Sequence, residues 1–366
     1  MHSLRARLSA GFLFLSALLS GCSLIAPQTY QLKEQRPSGL PPRIELTQVP
    51  FFPQEDYFCG PAALAMVFNA AGVAVSPDAL VDQVYLPGRK GSLQVEMLVA
   101  ARRHGLIAYE LAPRVTDMLR EIAAGTPAIV LENYGPFSWF PVWHYSVVVG
   151  YDLDTLEVIR RSGIRPRRAT PLPVFEKIWK HENYWAMVVV PPDRVPATAT
   201  EPRYANAVVA LEKSGQVRNA HIAYNALLGR WPDSLAGQMG RGNTAYALKD
   251  LATAESAFRQ ATQNHPDSAA AFNNLAQVLA DRGHYDDALA AAQHAVDLGG
   301  PMLAVTQATL DEIRQKAAAA AAAATEAAEA AEAQRAQPAL EIQVPAKAQA
   351  PAPAQPRKRK PKIRTN

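Results

Sequence analysis

The sequence has few cysteines and few charged residues, and each shortage excludes a class of protein. The 366 residues include only two cysteines, which can form at most one disulfide, Cys22–Cys59. This excludes a small fold that depends on several disulfides. Charged residues make up 19% against 49% hydrophobic residues, a balance typical of globular domains.

The net charge is only +4, and six basic residues stand among the last ten positions: Arg357, Lys358, Arg359, Lys360, Lys362 and Arg364. The remainder is close to neutral, so we predict no nucleic-acid-binding domain. We also predict neither a metal nor an organic cofactor.

The N-terminus lacks an apolar run long enough to cross a bilayer. Its run covers residues 8–19, about a dozen positions, whereas a spanning helix needs roughly 20. Arg5 and Arg7 precede it, and a basic start before a short apolar core is typical of a secretory signal peptide. The run ends in Leu-Ser-Gly-Cys22, which resembles the lipobox of bacterial lipoproteins, and Ser23 resembles an outer-membrane sorting signal. This resemblance implies an acylated Cys22 and attachment to the periplasm-facing side of a Gram-negative outer membrane.

Composition and periodicity divide the chain into seven segments. They are a signal peptide (1–22), a polar tether (23–47), a first globular domain (48–193), a linker (194–201), a helical repeat region (202–300), an Ala-rich capping helix (301–336) and a basic tail (337–366) for which we expect disorder. In the first domain, apolar spacing predicts helices at 59–71, 92–104 and 114–124, and β-branched runs predict strands at 127–132, 145–151, 156–160 and 185–190. Helices followed by strands indicate an α+β fold.

A 34-residue repeat marks the helical region. Three sets of positions recur at this spacing: Ala220, Ala254 and Ala288; Tyr224, Phe258 and Ala292; Pro232, Pro266 and Gly300. The pattern has a small residue where two helices pack, an aromatic residue one turn later and a helix-breaking proline or glycine at the end of the repeat. It resembles tetratricopeptide repeats. The resemblance implies an all-α solenoid of three repeats. Its groove is expected to recruit a peptide substrate, a protein partner or a second copy of the chain, although a plain spacer is also compatible with the pattern.

Cys59 stands at the start of the first predicted helix. The partial positive charge of a helix N-terminus favours the thiolate and predicts a lowered thiol pKa. Pro61 fits the first helical turn, and Gly60 allows a substrate close to the backbone. Gln54, five positions upstream, can place its side-chain amide beside the backbone N–H of Cys59. Two such donors would stabilise the oxyanion of an acyl-transfer intermediate.

His144 heads an apolar strand, in the run His-Tyr-Ser-Val-Val-Val-Gly-Tyr-Asp. Together with Gln-x4-Cys-Gly-Pro-Ala, 85 residues before it, this run resembles the bacteriocin-processing (double-glycine leader) cysteine peptidases over residues 48–193. The resemblance implies a papain-like fold, with Cys59 as nucleophile, His144 as general base and then acid, and Gln54 as oxyanion donor. It also implies exported peptides, cut after small residues such as Gly-Gly, as substrates.

The third member of the triad departs from the family, which places an aspartate at the end of the strand after the histidine. If residues 152–155 form the hairpin turn, the partner of His144 is Ser162 or Gly163. Asp152 is excluded in an unbroken strand, because eight residues at about 3.3 Å each put it about 26 Å from His144. Ser162, a backbone carbonyl or a residue from elsewhere must then orient the imidazole. A neutral partner stabilises the imidazolium less than a carboxylate would.

The segment 133–143 carries five aromatic residues and two prolines directly before His144. It is expected either to form a cleft wall that contacts substrate side chains or to pack on its own core.

Three functions fit the whole pattern. The first is a membrane-anchored cysteine peptidase that acts through a Cys-His acyl-enzyme, with a repeat domain that recruits a peptide or protein. The second keeps the site but acts on cell-wall peptides as an amidase, transpeptidase or transglutaminase. The third is a catalytically weak or inactive peptide-binding module on a repeat scaffold, which the missing aspartate favours.

Overall fold

The computed structural model describes residues 26–54, 58–135 and 140–336. The predicted signal peptide, Cys22 and the basic tail lie outside these residues. The chain forms two compact units, which divide after Arg314. The first contains the predicted α+β domain and the repeats, and the second contains the end of the last helix.

Within the part of the chain that the structure describes, the first domain combines six α-helices with one antiparallel sheet. The helices are α1 (Pro27–Glu34), α2 (Cys59–Ala70), α3 (Asp78–Val84), α4 (Gln94–Arg103), α5 (Val115–Ala123) and α6 (Leu172–Lys180). The strands are β1 (Arg43–Glu45), β2 (Ile107–Glu110), β3 (Ala128–Asn133), β4 (Trp143–Asp152), β5 (Glu157–Ser162), β6 (Arg165–Pro171) and β7 (Ala186–Val190). The sheet order is β2-β7-β3-β4-β5-β6, and β1 pairs with the distal end of β4. The predicted α+β class is confirmed, whereas α1, α3, α6, β1, β2 and β6 were not predicted.

Helix α2 and strand β4 form the centre of this domain. Every residue of α2 from Gly60 to Phe68 is buried, and β4 is buried continuously from Tyr145 to Tyr151. A strand with neighbours on both edges and helices on both faces needs apolar residues at successive positions, which explains its unalternating sequence. The two predicted catalytic segments therefore begin the two most central elements of the fold.

The prediction of a tether over residues 23–47 is wrong for the described part. Helix α1 packs into the domain, where the buried carboxylate of Glu176 accepts hydrogen bonds from the Thr29 hydroxyl and from the backbone N–H groups of Gln28 and Thr29. Strand β1 adds to the sheet beside β4. The polar sequence that suggested a tether thus forms a helix that binds one buried carboxylate and buries Leu32 in the core.

The predicted register of the β4–β5 hairpin is also wrong. Val147 pairs with Arg161, which shifts β5 by one or two residues relative to the sequence argument. The turn spans residues 153–156, one position later than predicted, and the pairing changes register between Val148 and Gly150. An irregularity of this kind inserts an extra residue into one strand, which a simple hairpin count does not anticipate.

The repeat region contains three helical hairpins. They are α7 (Glu201–Lys213) with α8 (Val217–Arg230), α9 (Leu235–Ala247) with α10 (Leu251–Asn264), and α11 (Ala269–Asp281) with α12 (Tyr285–Leu298). The recurring alanines Ala220, Ala254 and Ala288 are fully buried. A Cβ added at Gly242 would lie 2.4 Å from the Phe258 ring, so the small residue is required by close helix packing. The predicted solenoid is confirmed.

The first repeat packs directly against the α+β domain. Tyr204, Val208 and Leu211 of α7 belong to the same buried cluster as the core of the sheet. The segment predicted as a linker is fixed as well, because the Glu121 carboxylate accepts hydrogen bonds from the backbone of Ala197 and Thr198. The α+β domain and the first repeat therefore share one core.

Helix α13 (Leu303–Ala336) follows the last repeat. Its residues Leu310 and Ile313 are buried in the same hydrophobic cluster as residues of the last repeat. Residues 321–335 are exposed throughout. No helix within the described ranges has the length and apolar character needed to cross a membrane.

Candidate active site

Cys59 is the first residue of α2 and is partly exposed. The backbone N–H groups of Tyr145, Gly60 and Cys59 itself favour the thiolate and act to lower the pKa of the Cys59 thiol. Burial nevertheless outweighs these donors and raises the pKa of the Cys59 thiol above its ordinary value. The sequence prediction of a lowered pKa is therefore wrong in direction, because it counted the helix terminus but not the desolvation.

His144 is the second residue of β4, and its Nε2 lies 2.9 Å from the Ser162 hydroxyl oxygen. Burial is the main cause that lowers the pKa of the His144 imidazole. Glu132 opposes this shift, while the positive charges of Arg160 and Arg168 add to it. The free site consequently favours a neutral thiol and a neutral imidazole over an ion pair.

Cys59 and Gln54 both lie beside Tyr145, the residue that follows His144 on β4. The backbone N–H of Tyr145 lies close enough to the Cys59 thiol to favour the thiolate, so the sulfur is near the peptide unit that joins His144 to Tyr145. The carbonyl of Tyr145 accepts a hydrogen bond from Gln54 Nε2 at 3.3 Å. Cys59 and Gln54 thus lie beside the backbone N–H and C=O groups of Tyr145, which would otherwise be free to pair with a neighbouring strand.

Gln54 is held where β4 and β5 stop pairing. Its Oε1 accepts the backbone N–H of Gly163 at 2.7 Å, and its own backbone N–H donates to the Gly163 carbonyl at 3.0 Å. These two bonds fix the side-chain amide with Nε2 toward Tyr145, on the side of the thiol. The amide is buried and rigidly placed, as a preorganised oxyanion donor must be.

Ser162 ends β5 and is buried. The structure brings it to His144 as predicted, although the strand register differs, because the β5–β6 pairing is irregular between Arg160 and Ser162. Its hydroxyl contacts Nε2 and therefore leaves Nδ1 as the ring nitrogen available to another partner. The partner of the imidazole at Nε2 is thus a neutral hydroxyl.

A fully buried ion pair lies next to His144 and was missed by the sequence reasoning. Glu132 of β3 stands directly opposite His144 in the strand register and forms a salt bridge with Arg160 of β5. The Ser146 hydroxyl and the Tyr134 hydroxyl donate to the same carboxylate. The sequence offered one signal for this pair, a charged residue at the end of each of two predicted apolar strands, namely Glu132 and Arg160.

Asn133 joins the two ends of the aromatic segment before His144 by hydrogen bonds. The Asn133 Oδ1 accepts the backbone N–H groups of Gly135 and Val142 at 2.9 and 3.0 Å. Trp143 is 60% exposed, and its Nε1 donates to Glu182. The Tyr134 ring lies 6.1 Å from the His144 ring. Exposed aromatic surface beside the imidazole favours the cleft-wall interpretation for the described part, and residues 136–139 lie outside it.

The antiparallel sheet with its helices resembles a C39-like peptidase domain, and tetratricopeptide repeats follow it. Residues 46–186 match the sequence profile of the Peptidase_C39 like family. Residues 206–263 and 241–302 match the tetratricopeptide repeat profile.

Among solved structures, the chain is similar to a putative C39-like peptidase from Bacillus anthracis. The two are 19% identical, with 40% of this chain and 97% of the other covered and a TM-score of 0.34. No curated protein matches the chain.

Proposed function

We propose that the protein is a cysteine peptidase that hydrolyses peptide bonds through a Cys59 thioester, with His144 as general base and then acid. The observation that supports this most strongly is the convergence of Cys59, Gln54 and the His144–Tyr145 peptide on one point of β4. A buried structural cysteine would not require a fixed amide donor beside the same residue of β4.

The reaction follows from the positions of these groups. Cys59 Sγ attacks the carbonyl carbon while its proton passes to His144, since the resting thiol is neutral. Gln54 Nε2 and the backbone N–H of Cys59 stabilise the oxyanion. The imidazolium then protonates the leaving nitrogen, the C–N bond breaks and a thioester remains. Water, deprotonated by His144, attacks the thioester and releases the acid together with the free thiol.

Peptide cleavage tests this proposal. The full chain should cleave members of a linear peptide library that includes Gly-Gly sequences, with new termini detected by mass spectrometry. The Cys59→Ala variant should cleave none of them. Cleavage of muropeptides but of no linear peptide would instead support a cell-wall amidase or transpeptidase. Identical cleavage by wild type and Cys59→Ala would refute catalysis by this thiol.

Ser162 variants give a pH test of the same site. The neutral His144 is the acting base, so activity should decline as the pH falls through its lowered pKa, below the range of an ordinary histidine. Ser162→Ala should lower kcat about tenfold, the value of roughly one neutral hydrogen bond. Ser162→Asp should raise the imidazole pKa, move the acidic limb of the pH–rate profile to higher pH and increase kcat. An unshifted limb in Ser162→Asp would show that Ser162 does not act on His144.

A catalytically weak peptide-binding module is the second candidate, and two observations favour it. The imidazole partner is a neutral hydroxyl, and the thiol pKa is raised rather than lowered. For such a module, wild type and Cys59→Ala should bind a peptide ligand with equal affinity in isothermal titration, and neither should cleave it. Measurable turnover by wild type would exclude this candidate.

We further propose that acylated Cys22 anchors the protein to the periplasm-facing side of an outer membrane and that the repeats recruit a peptide or protein. The lipobox-like sequence supports the anchor. The matching repeat profile supports the recruiting surface, since stacked helical hairpins form extended binding grooves. In a Gram-negative host, Cys22→Ala should move the protein from the membrane fraction to the soluble fraction. Unchanged fractionation would contradict the anchor.

A further inference from the structure

The β5–β6 hairpin carries an excess of positive charge beside the candidate active site. Its five arginines are Arg160, Arg161, Arg165, Arg167 and Arg168. Two of them have carboxylate partners, since Arg160 pairs with Glu132 and Arg167 pairs with Glu45. Within residues 26–54, 58–135 and 140–336, no carboxylate lies within ion-pair distance of the other three.

Two of these unpaired arginines are available to a ligand. Arg165 is exposed and Arg168 is partly exposed, and neither has a described hydrogen-bond acceptor. Arg161 differs, because its guanidinium donates to the backbone carbonyls of Thr47 and Pro166. The guanidinium groups of Arg165 and Arg168 are thus the cations of the hairpin that an incoming anion could reach.

The strand register places both arginines near the imidazole and its partner. Arg165 pairs with Ser162, the residue that contacts His144 Nε2. Arg168 pairs with Arg160 and shares a sheet face with Thr170, two residues further along β6. The Thr170 hydroxyl accepts a hydrogen bond from the Arg160 guanidinium, so this face is that of the buried ion pair beside His144. The charge of Arg168 also contributes to the lowered pKa of His144.

The chemistry of peptide hydrolysis indicates which part of a substrate lies on the β5–β6 side of the site. His144 must protonate the leaving nitrogen, so the segment that follows the scissile bond has to lie on the imidazole side. The groups beyond His144 and Ser162, on β5 and β6, are therefore neighbours of the leaving peptide. The acyl part of the substrate lies instead toward Cys59 and Gln54.

We propose that Arg165 and Arg168 bind a carboxylate on the leaving-group side of the substrate, so that the enzyme prefers peptides with an anionic group just after the cut. This inference rests on the proposed peptidase function. The carboxylate belongs either to an acidic side chain or to the C-terminus of a short leaving peptide. Guanidinium groups suit both sources, because they donate two parallel hydrogen bonds to a carboxylate.

Matched peptides test the inference with the full chain. All share the best-cleaved library sequence before the scissile bond. They carry Glu or Gln directly after it, and each is prepared with a free or an amidated C-terminus. Wild type should show at least about a tenfold higher kcat/KM for a peptide with a carboxylate than for the Gln, amidated peptide, equivalent to about 1.4 kcal/mol. Preference for Glu in amidated peptides identifies a side chain, and preference confined to free termini identifies the terminal carboxylate.

Arginine variants complete the test. In the Arg165→Gln, Arg168→Gln double variant the ratio should fall to near one, whereas Arg167→Gln, whose arginine is already paired with Glu45, should keep it. Equal kcat/KM for charged and neutral peptides in wild type would overturn the inference and leave the peptidase proposal intact. A ratio unchanged in the double variant would also overturn it. Absence of any cleavage by wild type would refute both this inference and the peptidase proposal.

Discussion

Replacement of Glu132 by alanine is expected to lower the free energy of unfolding by about 3–5 kcal/mol, because it leaves the buried Arg160 without a counter-ion. Both side chains of this salt bridge are fully buried. The variant also removes the acceptor of the Ser146 and Tyr134 hydroxyls. Urea denaturation followed by tryptophan fluorescence measures the change, with the buried Trp179 as a reporter.

A second glutamate–arginine pair in the same sheet provides the control for this prediction. Glu45 pairs with Arg167, whose side chain is 57% exposed. Glu45→Ala should therefore cost only about 0–1 kcal/mol, as is usual for an ion pair in water. The double variant Glu132→Ala, Arg160→Met should recover much of the loss, because no buried charge remains unpaired. Equal, small losses in Glu132→Ala and Glu45→Ala would show that the buried pair does not stabilise the fold.

The second large effect is expected at the imidazole. His144→Ala should lower kcat by at least about a thousandfold, since the resting thiol is neutral and His144 is the base proposed to take its proton. Adding Cys59→Ala should cause little further loss, because the two groups act as one unit. Steady-state kinetics on a cleaved library peptide measures both.

His181 provides a matched control for the imidazole. It lies in an exposed position directly after α6 and contributes to no contact described at the site. His181→Ala should therefore retain the kcat and KM of the wild type. Retention of activity in His144→Ala, or an equal loss in His181→Ala, would contradict the assigned role of His144.

Local sequence patterns were sufficient to locate the nucleophile segment, the histidine strand and the repeats. A cysteine followed by Gly-Pro and an apolar run specifies a buried helix, and α2 begins at Cys59 as expected. Likewise, the alanines of the 34-residue period are buried where the helices pack. These features depend on residues close in sequence or on a repeated spacing, so they are visible without the fold.

Other features depend on distant residues and could not be predicted in this way. Helix α1 is held by Glu176, about 150 positions away in the chain. The contact between His144 and Ser162 was expected, but from a register that the strand irregularities invalidate. The thiol pKa was predicted in the wrong direction, because burial of a helix terminus depends on what packs around it. Local order was therefore predictable, whereas desolvation and long-range pairing were not.

Covalent trapping tests the central claim most directly. A peptidyl vinyl sulfone based on a cleaved sequence should add once to the wild type, with the modified residue identified as Cys59 by peptide mapping. His144→Ala should react at least about a hundredfold more slowly, because general-base assistance is lost. Cys59→Ala should not react. An equal adduct on Cys59→Ala, or undiminished reaction of His144→Ala, would contradict a nucleophilic thiol activated by this imidazole.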